Sequence, residues 1–345
     1  MIKIVNRIKE WPGLPIFIIV LVLIGLNASL TRNFLSSSVL EGFLSTYAPL
    51  IFVTLAQALV IISGGIDLSV GGVISLSNVT TIVLVGAGWD FLKIGPAGGL
   101  YICNTPGACQ AGWPFVTAAL GGVFAGLLVG LINSFAIGIL RVRPLLATLA
   151  TQFISMGMAL YLLPLPGGRL PIEIVNWYQR PLIGLPIAGW SIILIALVWV
   201  LLMKTPYGPH LKATGENMQK AYNSGVNVQL TIFITYMLSA LIASLGGVLL
   251  TMSIAAGDPN VGIAFTLNSI AAVVLGGVSL SGGFGEVGGP IFGALFLGLI
   301  VNTILSTRVP PWYQWLVSGV IIVIGLVGSI SLKRVMKKQS LSRTE

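Results

Sequence analysis

The chain alternates long apolar runs with short polar interruptions, and within each run the apolar residues are nearly continuous. Runs of about 17–25 residues have the length a helix needs to cross a bilayer. A transmembrane barrel would instead show apolar and polar positions in strict alternation. The pattern predicts ten spanning helices, at 15–30, 43–62, 70–86, 115–140, 145–163, 188–203, 230–252, 266–280, 288–307 and 313–331. The eighth is the weakest, and its glycine-rich end marks it as a broken helix. The first run is read as an uncleaved span, because its core is long and Asn27-Ala28-Ser29 makes a poor cleavage site. The expected fold is therefore all-α and polytopic. A segment 1–14 precedes one transmembrane domain, 15–331, and a basic tail, 332–345, follows it.

Composition agrees. Hydrophobic residues make up 56% of the chain and charged residues 8%, with a mean hydropathy of +1.00. Globular domains carry about 25% charge. The net charge of +9 is not spread as a nucleic-acid surface would be. With the N-terminus inside, 13 of the 18 Lys and Arg fall on the cytoplasmic side, including Arg141, Arg143, Lys204, Lys212 and Lys220 in two internal loops. Arg32, Lys93, Arg169, Arg180 and Arg308 fall outside. That bias is the positive-inside pattern. It puts both termini in the cytoplasm and leaves no role for nucleic acid. Tryptophans 11, 89, 113, 177, 190, 312 and 315 sit near expected span ends, as an interfacial belt does. Gly121, Gly122, Gly126 and Gly130 allow close helix packing.

Three interruptions carry the candidate chemistry. The first, residues 63–72, holds Gly64, Gly65, Asp67, Ser69 and Gly71. A carboxylate at the centre of a spanning helix costs roughly 2.5–3.5 kcal/mol on insertion scales, so it persists where it caps a helix or lines a polar path. Asp67 is expected to cap a helix beginning at Leu68; contact with a transported molecule or a proton relay are the alternatives. The second, residues 275–285, holds Gly276, Gly277, Ser279, Ser281, Gly282 and Gly283. Two interrupted helices are the pattern of transporters that place a polar path between helices. No Lys follows these glycines, so they are not a phosphate loop. One histidine, His210, offers neither a zinc pair nor a nucleophile's base. No metal, cofactor or catalytic group is expected, and the chain is not an enzyme. The third is an inward loop, residues 207–229. Its polar core reads as a short exposed helix begun by Thr214 or Gly215 and ended by Gly225. From composition alone it is either a docking knob or an ordinary solvated loop.

These segments resemble the permease subunits of bacterial ABC importers for monosaccharides, to which autoinducer-2 permeases are related. Residues 64–71 match the family's G-G-I-D-L-S-V-G without change. Gly215, Glu216, Asn217, Ala221 and Gly225 match its cytoplasmic segment, and residues 274–283 match V-L-G-G-x-S-L-S-G-G. The resemblance implies residence in the bacterial inner membrane and a second permease, identical or paralogous. It implies a cytoplasmic ATPase that holds the ATP and magnesium, and an extracytoplasmic sugar-binding protein. It also makes 215–225 the helix that couples to the ATPase. Met218, Gln219 and Lys220 depart from the small and acidic residues often found there, and the outer loop 88–114 is longer than the family leads one to expect. A monosaccharide or small polyol needs hydrogen-bonding groups along its path, for which Gln57, Ser63, Asn78, Asn133, Thr151, Gln152, Asn268 and Asn302 are candidates; each can instead tie helices together. A self-sufficient channel or ion-coupled carrier is the second reading.

Cys103 and Cys109 in the outer loop allow a small loop-closing disulfide or two free thiols. A bonded pair is expected to gain two titratable thiols and shift its gel mobility on reduction; an unchanged thiol count rejects the bond.

Overall fold

The structure is a computed structural model that describes residues 13–30, 33–87 and 112–306, with positions 313, 316, 319 and 320. The cysteine pair, most of the expected tenth span and both charged termini lie outside the described residues. The helices are α1 (Leu14–Leu30), α2 (Ser37–Ile62), α3 (Val70–Ala87), α4 (Phe115–Ser134), α5 (Pro144–Leu162), α6 (Ile172–Gln179), α7 (Ile187–Lys204), α8 (Tyr207–Glu216), α9 (Met218–Asn223), α10 (Val228–Ile254), α11 (Gly262–Leu275) and α12 (Gly288–Ser306). A π-helical turn, Phe135–Ile139, extends α4, and a two-residue hairpin, Pro181–Leu182 with Leu185–Pro186, precedes α7. Among the described residues five helices are long and apolar enough to cross a membrane: α2, α4 with its π-turn, α5, α7 and α10. The apolar helical stretches Leu14–Leu30, Val70–Gly86, Gly262–Leu275 and Gly288–Ile304 are shorter.

Of these five, α2 is the most buried, at 89% along its apolar window. It packs on α10, α11, α12 and α7, while α3 packs on α4, α10, α5 and α11. Leu55, Leu59, Ile61 and Ile62 are fully enclosed on α2, as are Ile74 and Ile82 on α3. The α4 glycines let its backbone approach these neighbours. A Cβ on Gly122 would strike Thr81 and Ser77 of α3, and one on Gly130 would strike Ala240 of α10. The outer faces of α4, α5 and α7 stay apolar and exposed, with Leu120, Phe124, Phe153, Ile154 and Leu194 all more than half accessible. Apolar side chains around the whole girth are what a helix bundle in lipid requires.

Three boundaries differ from the expected pattern, the first being that of α2, which begins at Ser37 where 43 was expected. The eighth segment is helical over Gly262–Leu275 where 266–280 was expected. Its helix starts earlier because the N–H of Gly262 is satisfied by the Ser75 hydroxyl at 2.9 Å, and it stops at the glycine pair that follows Leu275. At about 1.5 Å per residue, α11 is roughly 21 Å long and cannot span roughly 30 Å of hydrocarbon. The inward loop is also two helices, with a break at Asn217 that propensity did not reveal. The Asn217 side chain accepts from the Lys220 N–H at 2.9 Å, so Asn217 starts the short helix in place of Thr214 or Gly215.

The first residues of α3 and α11 meet side by side. A Cβ on Gly71 would run into the Gly262 carbonyl, and one on Gly262 into the Gly71 carbonyl. Neither partner is a flexible side chain that could step aside. Gly262→Val is expected to destabilise the protein by about 1–3 kcal/mol or more. Gly157→Ala, where a Cβ meets nothing within 4 Å, is expected to be neutral; thermal unfolding of both in detergent checks this.

Candidate functional site

Each of the three interruptions ends a helix in the same way. At the end of α2, Gly64 takes φ +87°. Its N–H bonds the Ile61 carbonyl at 3.0 Å, and the Gly65 N–H reaches back to Val60 at 3.0 Å. At the end of α11, Gly277 takes φ +83°, with Gly277 bonded to Val274 at 2.9 Å and Val278 to Val273 at 3.2 Å. At the end of α9, Gly225 takes φ +85°, with Gly225 bonded to Tyr222 at 2.9 Å and Val226 to Ala221 at 3.1 Å. This is the Schellman arrangement, in which a left-handed glycine lets two N–H groups fold back onto free carbonyls. The repeated glycines are therefore helix terminators of one geometric kind.

The first two interruptions and the start of the inward loop then converge. The Ile62 carbonyl at the end of α2 accepts from the Gly283 N–H at 2.9 Å. Gly215 lies against the same carbonyl, so close that a Cβ there would collide with it. A Cβ on Gly282 would stand 2.6 Å from the Gly215 oxygen and 2.8 Å from the Gly64 Cα, and one on Gly283 would stand 2.9 Å from the Glu216 Cβ. Ser279 and Ser281 pair through their hydroxyls at 2.9 Å, and the Ser279 N–H bonds the Phe284 carbonyl at 3.1 Å, closing the second turn. Three backbones thus share one contact point. It lies at the end of the bundle that also carries Arg141, Arg143, Lys204, Lys212 and Lys220. From that point α9 projects with Met218 and Tyr222 exposed and Ala221 alone buried.

Between this knot and the start of α3, the chain climbs into the bundle and buries Asp67, which is only 2% exposed. Asp67 Oδ1 accepts from the backbone N–H of Ser69 at 2.9 Å and from its hydroxyl, and Oδ2 accepts from Ser239 Oγ at 3.2 Å. Helix α3 begins at Val70, not Leu68, so the carboxylate holds the residue before the helix instead of capping it directly. Ser69 Oγ in turn accepts from Asn133 Nδ2 at 2.8 Å, and Asn133 Oδ1 accepts from Thr151 Oγ1 at 2.8 Å. One polar chain therefore ties the first interruption to α4, α5 and α10. Ser239 lies three turns into α10, roughly 16 Å from its start at 1.5 Å per residue, so the network sits well inside the bundle.

The other polar candidates separate into ties and exceptions. Gln152 accepts from the Gly72 N–H at 2.6 Å. Asn78 donates to Thr251 at 2.8 Å and to the Ala256 carbonyl at 3.0 Å, and accepts from the Asp258 N–H at 2.8 Å. Asn302 donates to Asn27 at 2.9 Å. Ser63 donates to the Val60 carbonyl at 2.7 Å. Asn268 is half-buried on α11. Gln57 stands apart, because it is fully enclosed on α2 and neither polar atom of its amide has a partner. Among the described residues no cluster of His, Cys, Asp and Glu could hold a metal. Sequence reasoning missed Tyr236 and Ser239. The signal was there: Thr231, Thr235 and Ser239 recur every fourth residue, which draws one polar stripe down α10, and all three are buried.

The fold and its interrupted helices define a helical membrane permease. Residues 39–326 match the family model described as "branched-chain amino acid transport system / permease component", and the chain belongs to that family. It is similar to the D-allose transport system permease protein AlsC of Escherichia coli K12, at 27% identity over 95% of this chain and 93% of the relative. It is 29% identical to the autoinducer 2 import system permease protein LsrC of Escherichia coli (strain K12 / DH10B), over 99% of this chain and 94% of that one. With the ribose import permease protein RbsC of Bacillus subtilis the identity is 31%, over 92% of each. No solved structure matches.

Asp67→Ala strands the Ser69 and Ser239 donors in a dry interior, a loss of about 1–3 kcal/mol for groups left unsatisfied. Asp67→Asn keeps an acceptor toward Ser69 and is expected to lose clearly less. Thermal unfolding of the pair in detergent distinguishes a structural tie from a residue needed only during transport.

Proposed function

We propose that this chain is the translocation subunit of an ATP-driven importer, carrying a monosaccharide or similar small polyol across the bacterial inner membrane by alternating access. In this reading ten segments cross the bilayer, the eighth through α11 together with the non-helical residues that flank it, and both termini are cytoplasmic. The basic end of the bundle faces the cytoplasm, in keeping with the positive-inside bias. The relatives' names, which concern D-allose, ribose and autoinducer 2, support a polyhydroxylated cargo. The chain itself is a transport subunit and not an enzyme. ATP and magnesium belong to a separate cytoplasmic ATPase, a second permease completes the membrane part, and an extracytoplasmic binding protein delivers the cargo.

The observation that carries this reading is the knot of Ile62, Gly215 and Gly283. A partner that grips α9 pulls on Gly215, which presses on the end of α2 and is covered by the second interruption. Movement of the docking helix is thereby transmitted to α2 and α11 without a flexible joint between them. The ATPase and the binding protein each shift the equilibrium between outward-open and inward-open states only as far as they bind one state better than the other. Gly64 and Gly277, with their neighbours Gly65 and Gly276, end the two helices, and Gly282 and Gly283 bring the second turn onto the end of α2. Glu216, Asn217 and Ala221 form and seat the docking helix.

Replacing Met218 and Tyr222 together with glutamate alters only the exposed face of α9. The variant is expected to fold, to fail to co-purify with the ATPase and to lose uptake at least tenfold. Uptake in proteoliposomes is expected only with the ATPase and hydrolysable ATP present. Transport by the chain alone supports the self-sufficient carrier.

A further inference from the structure

A cavity of about 990 Å³ opens at the basic end of the bundle. Its volume is at the upper limit of the roughly 300–1,000 Å³ usual for small-molecule sites. The mouth is formed by Arg141 and Arg143, which follow the π-turn, and by Gln219 and Tyr222 of α9. Ser63 and Gly65 of the first interruption form the floor together with Tyr236. Two properties separate it from an ordinary crevice. Among the described residues no aspartate or glutamate lines it, while two arginines do. The Tyr236 hydroxyl is 1% exposed as a residue and has no hydrogen-bond partner, although buried hydroxyls normally find one.

Arg141 is held in place. Its backbone lies at φ +56°, a region that non-glycine residues rarely enter. With the Gln229 amide turned to accept, its oxygen receives Arg141 Nη2 at 3.1 Å and Nε at 3.2 Å. A guanidinium has five N–H donors, so the remaining ones can meet an anion. A strained backbone beside a π-turn is the kind of local cost that persists where a side chain is being aimed. Asp67 sits behind the floor, near Tyr236 and outside the lining. A charge placed on the floor would face that carboxylate, whereas a hydroxyl there would find Ser63 and Tyr236.

We propose that this cavity binds the phosphate ester of a small polyol, with the phosphate between Arg141 and Arg143 and the hydroxylated body on Ser63 and Tyr236. Arginine suits the phosphate because its planar donors engage two oxygens at once. Such a compound arises by phosphoryl transfer to an imported polyol, or is presented as the glycerol phosphate headgroup of an anionic lipid. The site rests on the reading that the basic end faces the cytoplasm. Its binding can be measured without transport, so failure of one does not imply failure of the other.

The test uses the purified full chain, delipidated in neutral detergent, with D-ribose 5-phosphate, D-ribose and inorganic phosphate as probes in equilibrium dialysis. Ribose 5-phosphate is expected to bind saturably and at least tenfold more tightly than either ribose or phosphate alone. Arg141→Gly with Arg143→Ala removes both guanidiniums and relieves the strained backbone, and is expected to weaken binding at least tenfold. Tyr236→Phe is expected to weaken it several-fold without lowering the unfolding temperature, since it deletes an unpartnered hydroxyl. In nanodiscs of phosphatidylglycerol, competition that disappears in phosphatidylcholine identifies the lipid headgroup as the occupant, and competition in neither identifies the soluble ester. Absence of saturable binding by both the ester and the lipid overturns the proposal, as does binding that the double arginine variant leaves unchanged.

Discussion

One backbone hydrogen bond organises this molecule, that between the Ile62 carbonyl and the Gly283 N–H. A helix ends with carbonyls that need partners, and in a dry interior an unmet one is costly. The glycine turn after α2 satisfies Val60 and Ile61 and leaves Ile62. The second interruption, more than two hundred residues later, supplies the missing donor, and only a chain without side chains at Gly215, Gly282 and Gly283 can crowd so near. The same constraint explains why glycine pairs occur where they do and why the inward loop must lie against both.

Above that contact the bundle is held by polar ties more than by apolar packing alone. Lipid tails are as apolar as leucine, so burying a leucine against another helix gains little over leaving it in lipid, and close backbone approach and hydrogen bonds must supply the difference. The chain from Thr151 through Asn133 and Ser69 to Asp67 and Ser239 joins four elements in this way. Asn27, Asn302 and Thr303 do the same between α1 and α12.

The apolar helices among the described residues and the three motif segments were legible in the sequence because both are local. A run of apolar residues declares a helix in lipid, and a glycine pair after it declares a terminator. What was not legible is non-local. Nothing near Gly215 indicates that it rests on residue 62, and nothing in the second interruption announces a donor for α2. The helix break at Asn217 escaped notice because the residues on either side of it are both good helix formers, and the cap is visible only once Lys220 is seen above the side chain. The role of Asp67 shifted for a related reason: the helix begins two residues later than composition implied, since Ser69 supplies the carbonyl that Val73 bonds. Asn78, Asn133, Gln152 and Asn302 tie parts of the bundle together, while the buried amide of Gln57 keeps both polar atoms unpaired.

The meeting of Gly71 with Gly262 has an electrostatic consequence. Helices α3 and α11 start at the same depth and run in opposite directions, one toward Ile82 and Gly257, the other toward Gly276 and the basic end. Two macrodipoles therefore present their positive ends to one another, each equivalent to roughly half an elementary charge. In a low-dielectric interior such a confluence repels cations and invites a negative group, and the carboxylate of Asp67 stands beside it, three residues before Val70, where α3 begins. Two half charges at the helix starts and the one carboxylate beside them then offset each other, which leaves this point of the bundle close to neutral.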